Sequence, residues 1–203
     1  MRTLARIRLA RAASVLNARC DQCLPALVLM TDDERLPDPL GAARLLPRGS
    51  MIVVRARQAS HRSKLAMSLR PIARANGLRL VIANDPMLAR GLGADGVHFS
   101  QSNARQAHVW RARQPRWLIT MAAHSLAASI SARQLGADAV YLTPIFPTKS
   151  HPGRESLGSA RARLIARQAQ VPVYALGGLN EQNVRQLGNG AFAGLAAVGG
   201  LAV

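Results

Sequence analysis

The chain has few aromatic residues, few acidic residues and little cysteine. Only 3% of its 203 residues are aromatic, so the core has to be built from aliphatic side chains, and few rings are present to stack on nucleic-acid bases. Ten acidic residues stand against 27 basic ones, which gives a formal net charge of +17. Such an excess favours anionic partners, either phosphorylated metabolites or nucleic acid. Because the arginines are scattered, a solvated basic surface is the favoured interpretation and nucleic-acid binding is disfavoured.

Long hydrophobic segments are also missing. No apolar run in the sequence approaches the roughly 18 residues that a membrane span requires. The basic N-terminus is not followed by the apolar segment and cleavage site of a secretory signal. We therefore expect a protein that does not associate with membranes and that is located in the cytoplasm.

The two cysteines, Cys20 and Cys23, form a C-x-x-C pattern. A redox pair of the thioredoxin type should follow a strand and open a helix, and a zinc site needs further ligands at suitable spacing. Neither context surrounds these residues. Incidental cysteines are therefore favoured over a redox or metal-binding pair.

What the chain does contain is a regular alternation of short apolar runs and helical patterns. In residues 1–24, apolar positions recur at helical spacing between arginines, which predicts a basic helical extension. Residues 25–203 are predicted to form a single domain with eight short strands separated by helices. The predicted strands fall within residues 26–32, 50–57, 78–85, 96–99, 116–123, 139–142, 171–176 and 192–198.

Eight such units predict an α/β fold, a closed (β/α)8 TIM barrel, since continuous apolar runs suit parallel strands covered on both faces. Because the sequence ends at Val203, we expect the eighth helix to be short or absent. The N-terminal helix would then take part of its place, or a partner subunit of a homo-oligomer would cover the gap. Gly-Ala-Asp occurs at 93–95 and 136–138, each time between a predicted helix and a strand, where a glycine can end the helix.

Polar residues follow several predicted strands, and in a barrel such residues meet at one rim, where active sites lie. The longest of these segments follows strand six and carries hydroxyl groups together with Lys149, His151 and Arg154. Gly177-Gly178 and Gly199-Gly200 follow strands seven and eight. Backbone N–H groups of such glycines can approach a phosphate closely, which predicts an anion site there.

Two pairs of polar residues at this rim could bind a pyrophosphate and its metal ion. Arg55 and Arg57 alternate with apolar residues, so they would share one face and could clamp a pyrophosphate; two surface arginines are the alternative. Asp85 follows Asn84 and could hold a divalent metal if phosphates complete its ligand shell. The alternative for Asp85 is a cap on the helix that Pro86 opens.

Histidines supply candidate acid–base groups. His124 ends predicted strand five and precedes Ser125, a candidate helix cap. With an ordinary pKa near 6.5 it could act as a general acid or base, and a structural or capping histidine is the alternative. His98 lies within an apolar strand, which indicates a packed residue, and His151 is placed to contact either an anion or solvent.

Five stretches, in combination and in order, resemble the thiamine phosphate synthase family, which includes the related thiazole tautomerases. They are ND at 84–85, GADGVHFSQ at 93–101, GADAVYLTPIFPTKSHPG at 136–153, VPVYALGG at 171–178 and AAVGG at 196–200. The resemblance implies a (β/α)8 barrel that joins hydroxymethylpyrimidine pyrophosphate to thiazole phosphate and releases pyrophosphate. In the family, magnesium (Mg2+) and basic groups help the pyrophosphate to leave.

The same resemblance implies roles for individual residues. Arg55 matches the pyrophosphate-binding arginine, and Arg57 stands where the family has a lysine. Asn84 matches a substrate-binding asparagine and Asp85 a magnesium ligand. His124 matches a histidine that serves acid–base chemistry in the tautomerases. The remaining substrate-binding residues that the resemblance implies are Thr148, Lys149 and His151 in the loop and Gly178, Val198 and Gly199 in a phosphate cradle.

Several positions depart from the family pattern. Val53 stands in place of a glutamine, Asn103 in place of a second magnesium aspartate and Ala122 in place of a serine, while the loop lysine is replaced. The first expectation is a thiamine phosphate synthase. The alternatives are a thiazole tautomerase that uses His124 without a metal, and a non-catalytic sensor of a thiamine-pathway phosphate. All three imply phosphorylated small molecules as partners.

Overall fold

A computed structural model describes residues 2–18, 24–148 and 155–202. Eight parallel strands pair in the order of the chain, and the eighth closes on the first. They are β1 Leu27–Met30, β2 Met51–Val54, β3 Arg79–Ala83, β4 Gly96–Phe99, β5 Leu118–Ala123, β6 Ala139–Leu142, β7 Val173–Ala175 and β8 Gly194–Ala197. The closed (β/α)8 barrel predicted from the sequence is confirmed.

The described residues also form seven α-helices and three short 3-10 turns. The helices are α1 Arg2–Asn17, α2 Pro39–Arg44, α3 Ala59–Asn76, α4 Pro86–Gly91, α5 Gln106–Arg113, α6 Leu126–Gln134 and α7 Gly158–Gln168. The turns are Gln101–Asn103, Val184–Leu187 and Gly199–Leu201. Among these helices none is both long and apolar enough to cross a membrane.

The sequence predicts a helix over residues 181–187, between the last two strands, but the structure has only the 3-10 turn Val184–Leu187 there. Two asparagine side chains explain the difference. Asn180 Oδ1 accepts hydrogen bonds from the backbone N–H groups of Gln182 and Asn183, and Asn183 Oδ1 accepts one from the N–H of Asn180. Side chains that satisfy nearby backbone groups in this way compete with α-helix formation.

Burial on both faces of the sheet explains why the strands appear in the sequence as continuous apolar runs. Every residue of β1, β2, β4 and β6 to β8 is buried, because side chains on one face fill the barrel and those on the other pack under the helices. Most strands are shorter than predicted, because the residues at one or both ends of the predicted segments do not pair in the sheet. The segment predicted as 50–57, for example, pairs only as β2 and stops before Arg55.

The N-terminal helix packs on the barrel beside its last strand. Helix α1 contacts β1, β8 and the turn Gly199–Leu201, and its Leu9, Ala13 and Leu16 are buried. Asn17 Nδ2 donates a hydrogen bond to the Ala193 carbonyl at 2.6 Å. Helix α1 therefore covers the side of β8 where an eighth helix would lie. The division between residues 24 and 25 stays a prediction, and both cysteines lie outside the described residues.

The two Gly-Ala-Asp turns enter β4 and β6 from the rim opposite the predicted site. Their glycines have φ of 56° and 88°, a left-handed conformation that residues with a Cβ rarely adopt. Asp95 then accepts a hydrogen bond from the backbone N–H of Leu80, and Asp138 from that of Ile119, both at 2.7 Å. Each turn thereby ties the start of a strand to the strand before it.

Candidate functional site

A cavity of about 460 Å³ opens among the C-terminal ends of the strands. Its volume is in the range of small-molecule sites, and its place is the one where barrels carry their active sites. Strand ends and following segments from all around the barrel form its wall. They include Met30, Arg35, Arg55, Ala83, Asn84, His98, Ser100, Gln101, Ala122, His124, Tyr141, Thr143, Thr148, Leu176, Gly177, Gly178, Val198, Gly199 and Gly200.

The predicted site residues fall into three groups. Two of them, Arg57 and Asp85, do not line the cavity. Two others, Lys149 and His151, lie outside the described residues. The structure brings the rest together around the cavity: Arg55, Asn84, His124, Thr148, Gly178, Val198 and Gly199.

Arg57 does not join Arg55 in a two-arginine clamp, contrary to the sequence-based expectation. Its side chain is 81% exposed and pairs with Glu34 at 2.8 Å, while its backbone N–H donates to Asp33 Oδ2 at 2.9 Å. The expected common face assumed that the strand continued through residue 57. Because β2 ends at Val54, the two-residue alternation of a strand does not extend that far.

Arg55 is instead grouped with Arg35 around one carboxylate, that of Asp32. Asp32 Oδ2 accepts from Arg35 Nη2 at 2.7 Å and from Arg55 Nη2 at 2.6 Å. Burial raises the pKa of Asp32, but the hydrogen bonds and positive charges of the two arginines outweigh it and hold that pKa well below its usual range. Burial lowers the pKa of Arg55, and the charge of Asp32 opposes this shift.

The segment that carries Asp32 and Arg35 was missed by the sequence analysis. Asp32 Oδ1 accepts hydrogen bonds from the backbone N–H groups of Glu34 at 3.3 Å and of Arg35 at 3.1 Å. This local turn brings the Arg35 side chain back to the carboxylate three residues before it. A sequence signal was present, because the polar run Thr31 to Arg35 directly follows an apolar strand at the same rim.

Asp85, the predicted magnesium ligand, is engaged away from the cavity. Its Oδ1 accepts from the backbone N–H of Leu88 at 3.0 Å, which caps α4, and its Oδ2 pairs with Arg62 Nη2 at 3.1 Å. Asn103 donates from Nδ2 to Ser100 Oγ at 3.2 Å. None of the described residues that line the cavity is an aspartate or a glutamate, and no three of the described His, Cys, Asp and Glu residues group as metal ligands. The described side chains that line the cavity therefore do not fit Mg2+, which prefers carboxylate oxygens.

Asn84 presents its amide at the junction of β3 and β4. Its φ of 53° is left-handed, a conformation that asparagine tolerates better than most residues. Its backbone N–H donates to the His98 carbonyl at 2.8 Å, and its Oδ1 accepts from the Ser100 N–H at 2.9 Å. With Oδ1 oriented by that bond, Nδ2 is the donor that this side chain offers to a ligand.

His124 is oriented by the segment that follows β6. Its Nδ1 lies 2.6 Å from the carbonyl oxygen of Thr143. A carbonyl only accepts, so Nδ1 carries the proton and Nε2 is the basic nitrogen of the neutral ring. The end of β5 thus places a histidine of fixed tautomer in the cavity wall.

Two glycine turns form the wall beside β7 and β8. Gly177 and Gly178 have φ of 95° and 66°. A Cβ on Gly178 would lie 2.5 Å from the Pro147 carbonyl oxygen, and one on Gly177 would lie 2.8 Å from Pro144 Cα, so only glycine fits here. Gly199 belongs to the second turn, and the two turns bring backbone amides to the cavity wall.

The deeper wall, formed by β4 to β6, is polar but uncharged. His98 is buried, and its Nδ1 lies 3.1 Å from Thr120 Oγ1, within hydrogen-bonding distance. Burial, and secondarily the charge of Arg55, lower the pKa of His98 to about 3, so its ring is neutral at physiological pH. Tyr141 meets His98 edge-on, with ring centroids 5.0 Å apart. The Tyr141 hydroxyl is buried without a hydrogen-bond partner among the described residues.

The family model for thiamine monophosphate synthase matches residues 27–201. The chain belongs to this family. A thiamine-phosphate synthase from Chlorobium luteolum is 30% identical over 177 residues, which cover 86% of this chain and 84% of that protein. A thiamine-phosphate synthase from Nitrosococcus oceani is 29% identical over 182 residues, which cover 86% and 84% of the two chains.

Solved structures support the fold of this thiamine monophosphate synthase family member. A thiamine phosphate pyrophosphorylase from Pyrococcus furiosus superposes with a TM-score of 0.74 over 87% of this chain and 86% of that one. The two chains are 24% identical, so the likeness speaks for the barrel alone. The family resemblance inferred from the sequence is confirmed.

Proposed function

We propose that this protein joins hydroxymethylpyrimidine pyrophosphate to thiazole phosphate and thereby forms thiamine phosphate and pyrophosphate. The observation that carries the proposal is a cavity, in a barrel of this family, that is lined both by two arginines and by two glycine turns. Arg35 and Arg55 follow β1 and β2, and the glycine turns at 177–178 and 199–200 follow β7 and β8, which close the barrel beside β1. Two such groups of donors suit a reaction in which both substrates carry phosphate.

The arginine wall suits the pyrophosphate that leaves. When the bond between the pyrimidine methylene carbon and the pyrophosphate oxygen breaks, the electron pair departs with the oxygen. A guanidinium at that place stabilises the charge that develops. Arg55 is held for this role by Asp32, so little reorganisation is needed during the reaction.

The glycine turns suit the thiazole phosphate. Their backbone amides would take its phosphate, and Thr148 also lines the cavity. The lone pair of the thiazole nitrogen then forms the new bond to the pyrimidine methylene carbon, which balances the electrons released with pyrophosphate. Asn84 and His124 both line the cavity, and their side chains would help to orient the two rings.

The test is formation of thiamine phosphate from the two purified substrates, measured with magnesium and with EDTA. We expect turnover by the wild type and a decrease of about 100-fold in kcat/KM for Arg55→Gln, because the variant loses a charge at the leaving group. Arg44→Gln removes a charge from an exposed position of α2 outside the cavity and should keep wild-type kinetics. Absence of product with the wild type would refute the proposal. The cytoplasmic location and the self-association stay predictions.

A further inference from the structure

We propose that Arg35 and Arg55, oriented together by Asp32, form the binding site for the diphosphate group, and that this site needs no divalent metal ion. The inference deepens the proposed function and rests on it for the choice of ligand. It assigns a role to Arg35 and Asp32, for which the family resemblance implies no role. It also replaces the expected pair of Arg55 and Arg57.

The geometry fixes both guanidinium groups relative to one another. Asp32 Oδ2 accepts from Arg55 Nη2 at 2.6 Å and from Arg35 Nη2 at 2.7 Å, and Oδ1 accepts from Arg35 Nε at 3.2 Å. Because the same oxygen receives both Nη2 groups, the two planar cations lie side by side. Arg35 uses two adjacent nitrogens, a forked contact that also sets the orientation of its plane.

The charges of this cluster leave it attractive to an anion. Two guanidinium groups share one carboxylate, so the cluster carries about one net positive charge. A guanidinium has five N–H donors, and those of Arg55 are only partly used. Its Nε donates to the Thr31 carbonyl at 3.4 Å and its Nη2 to Asp32, while Nη1 bonds to none of the described residues. The side chain of Arg55 is 39% exposed, so a ligand in the cavity can reach it.

The carboxylate that was expected to bind a metal makes other contacts. Asp85 caps α4 and pairs with Arg62, and no described carboxylate lines the cavity. A diphosphate in the cavity would therefore contact guanidinium donors. A metal site would instead present carboxylates to the metal ion. Arginine binds phosphate oxygens bidentately and carries its charge without a metal. The pair can consequently neutralise the diphosphate directly.

The inference is tested by the affinity for inorganic pyrophosphate, measured by calorimetry in EDTA and in magnesium. We expect binding in EDTA at least as tight as in magnesium. Arg35→Gln should weaken it about 10- to 100-fold, as for loss of a charged hydrogen bond. Arg35→Lys keeps the charge and should lie between Arg35→Gln and the wild type, because an ammonium cannot replace the fork. Arg44→Gln is the control for removal of a charge.

Two further variants test Arg57 and Asp85, which the inference excludes from the diphosphate site. Arg57→Gln should leave the pyrophosphate affinity within about twofold, since Arg57 pairs with Glu34 outside the cavity. Asp85→Asn keeps a good helix cap and removes the carboxylate charge, and it should also leave that affinity within twofold. A requirement for magnesium, or a loss in Arg57→Gln equal to that in Arg35→Gln, would overturn the inference.

The outcomes separate this inference from the proposed function. Pyrophosphate binding in EDTA without any formation of thiamine phosphate would refute the synthase activity and leave the metal-independent anion site standing. Formation of thiamine phosphate with pyrophosphate binding only in magnesium would support the activity and overturn the inference.

Discussion

Two sides of the same cavity differ in how they handle charge. On the side of β1 and β2, Asp32 holds Arg35 and Arg55 in ion pairs of 2.7 and 2.6 Å. On the side of β4 to β6, burial lowers the pKa of His98 to about 3 and raises that of Tyr141 well above its ordinary value. Both groups are therefore neutral at physiological pH, and the charge among these residues is confined to one side.

Under the proposed function, this difference would orient a ligand that has an anionic end and a heteroaromatic end. A charged group is stable where ion pairs and solvent compensate it, and a buried polar group is stable only while it is neutral or hydrogen-bonded. Arg55 connects the two sides, because its charge is the second cause of the low pKa of His98. The arginines would thus attract the anionic end of the proposed substrate, and its neutral ring would be favoured against the wall formed by β4 to β6.

The strongest way to disrupt the charged side is Asp32→Ala. It removes the acceptor that both arginines share, and we expect kcat/KM to fall about 100-fold, because misplaced binding groups lose that much. The free energy of unfolding should fall by about 2–3 kcal/mol, since several charge-assisted hydrogen bonds are lost. Steady-state kinetics and urea unfolding measure the two effects.

Asp33→Ala is the matched control. Asp33 accepts from the backbone N–H of Arg57 and pairs with His61 at 3.1 Å, on the outer side of the same segment. We expect its kcat/KM within about twofold of wild type and a loss below about 1 kcal/mol, as for a surface pair. Equal losses in Asp32→Ala and Asp33→Ala would show that Asp32 has no special function in the cavity.

Acid should destabilise the neutral side. An unfolded histidine has a pKa of about 6.5, whereas that of His98 is about 3 in the fold. Below pH 6.5 the unfolded chain binds a proton that the folded chain does not, so the free energy of unfolding decreases as the pH is lowered. The contribution approaches about 1.4 kcal/mol per pH unit and ends near pH 3. Asp32 acts at lower pH, because its depressed pKa makes its contribution decline only below about pH 3.9, outside the range from pH 6.5 to 4.5.

His98→Asn isolates this contribution, since asparagine can still hydrogen-bond to Thr120 but does not titrate. Urea unfolding at pH 6.5, 5.5 and 4.5 should show the wild type losing about 2 kcal/mol more than the variant over that range. If both proteins lost the same amount, His98 would be protonated in the fold, and the cavity would carry charge on both sides.

The barrel could be predicted from the sequence because its signals are local and repeated. Short apolar runs, Gly-Ala-Asp turns and glycine pairs each depend on a few neighbouring residues. The cap formed by Asp85 was also an open alternative in the sequence, since an aspartate before Pro86 is a common helix start.

The pairing of side chains across the rim could not be predicted in the same way. Arg55 and Arg57 look equivalent while β2 is assumed to continue, and the end of the strand at Val54 separates them. Asp32 holds Arg35 through a local turn and also pairs with Arg55, which follows the next strand, and no spacing in the sequence encodes the contact between Asp32 and Arg55. The Tyr141 hydroxyl, which has no hydrogen-bond partner within residues 2–18, 24–148 and 155–202, likewise depends on what surrounds it in the barrel.

The smallest effect compares two stacked tyrosines, whose ring centroids lie 5.2 Å apart. The Tyr174 hydroxyl donates to the Pro25 carbonyl at 2.6 Å, so Tyr174→Phe should lower the free energy of unfolding by about 1–2 kcal/mol. The Tyr141 hydroxyl lies near Thr120, but Thr120 is bonded to His98, and the phenol has no hydrogen-bond partner in the part of the chain that the structure describes. Tyr141→Phe should therefore leave the stability unchanged or raise it by about 1 kcal/mol. Thermal unfolding of both variants measures the contrast, and a similar loss in each would mean that Thr120 accepts from Tyr141 in solution.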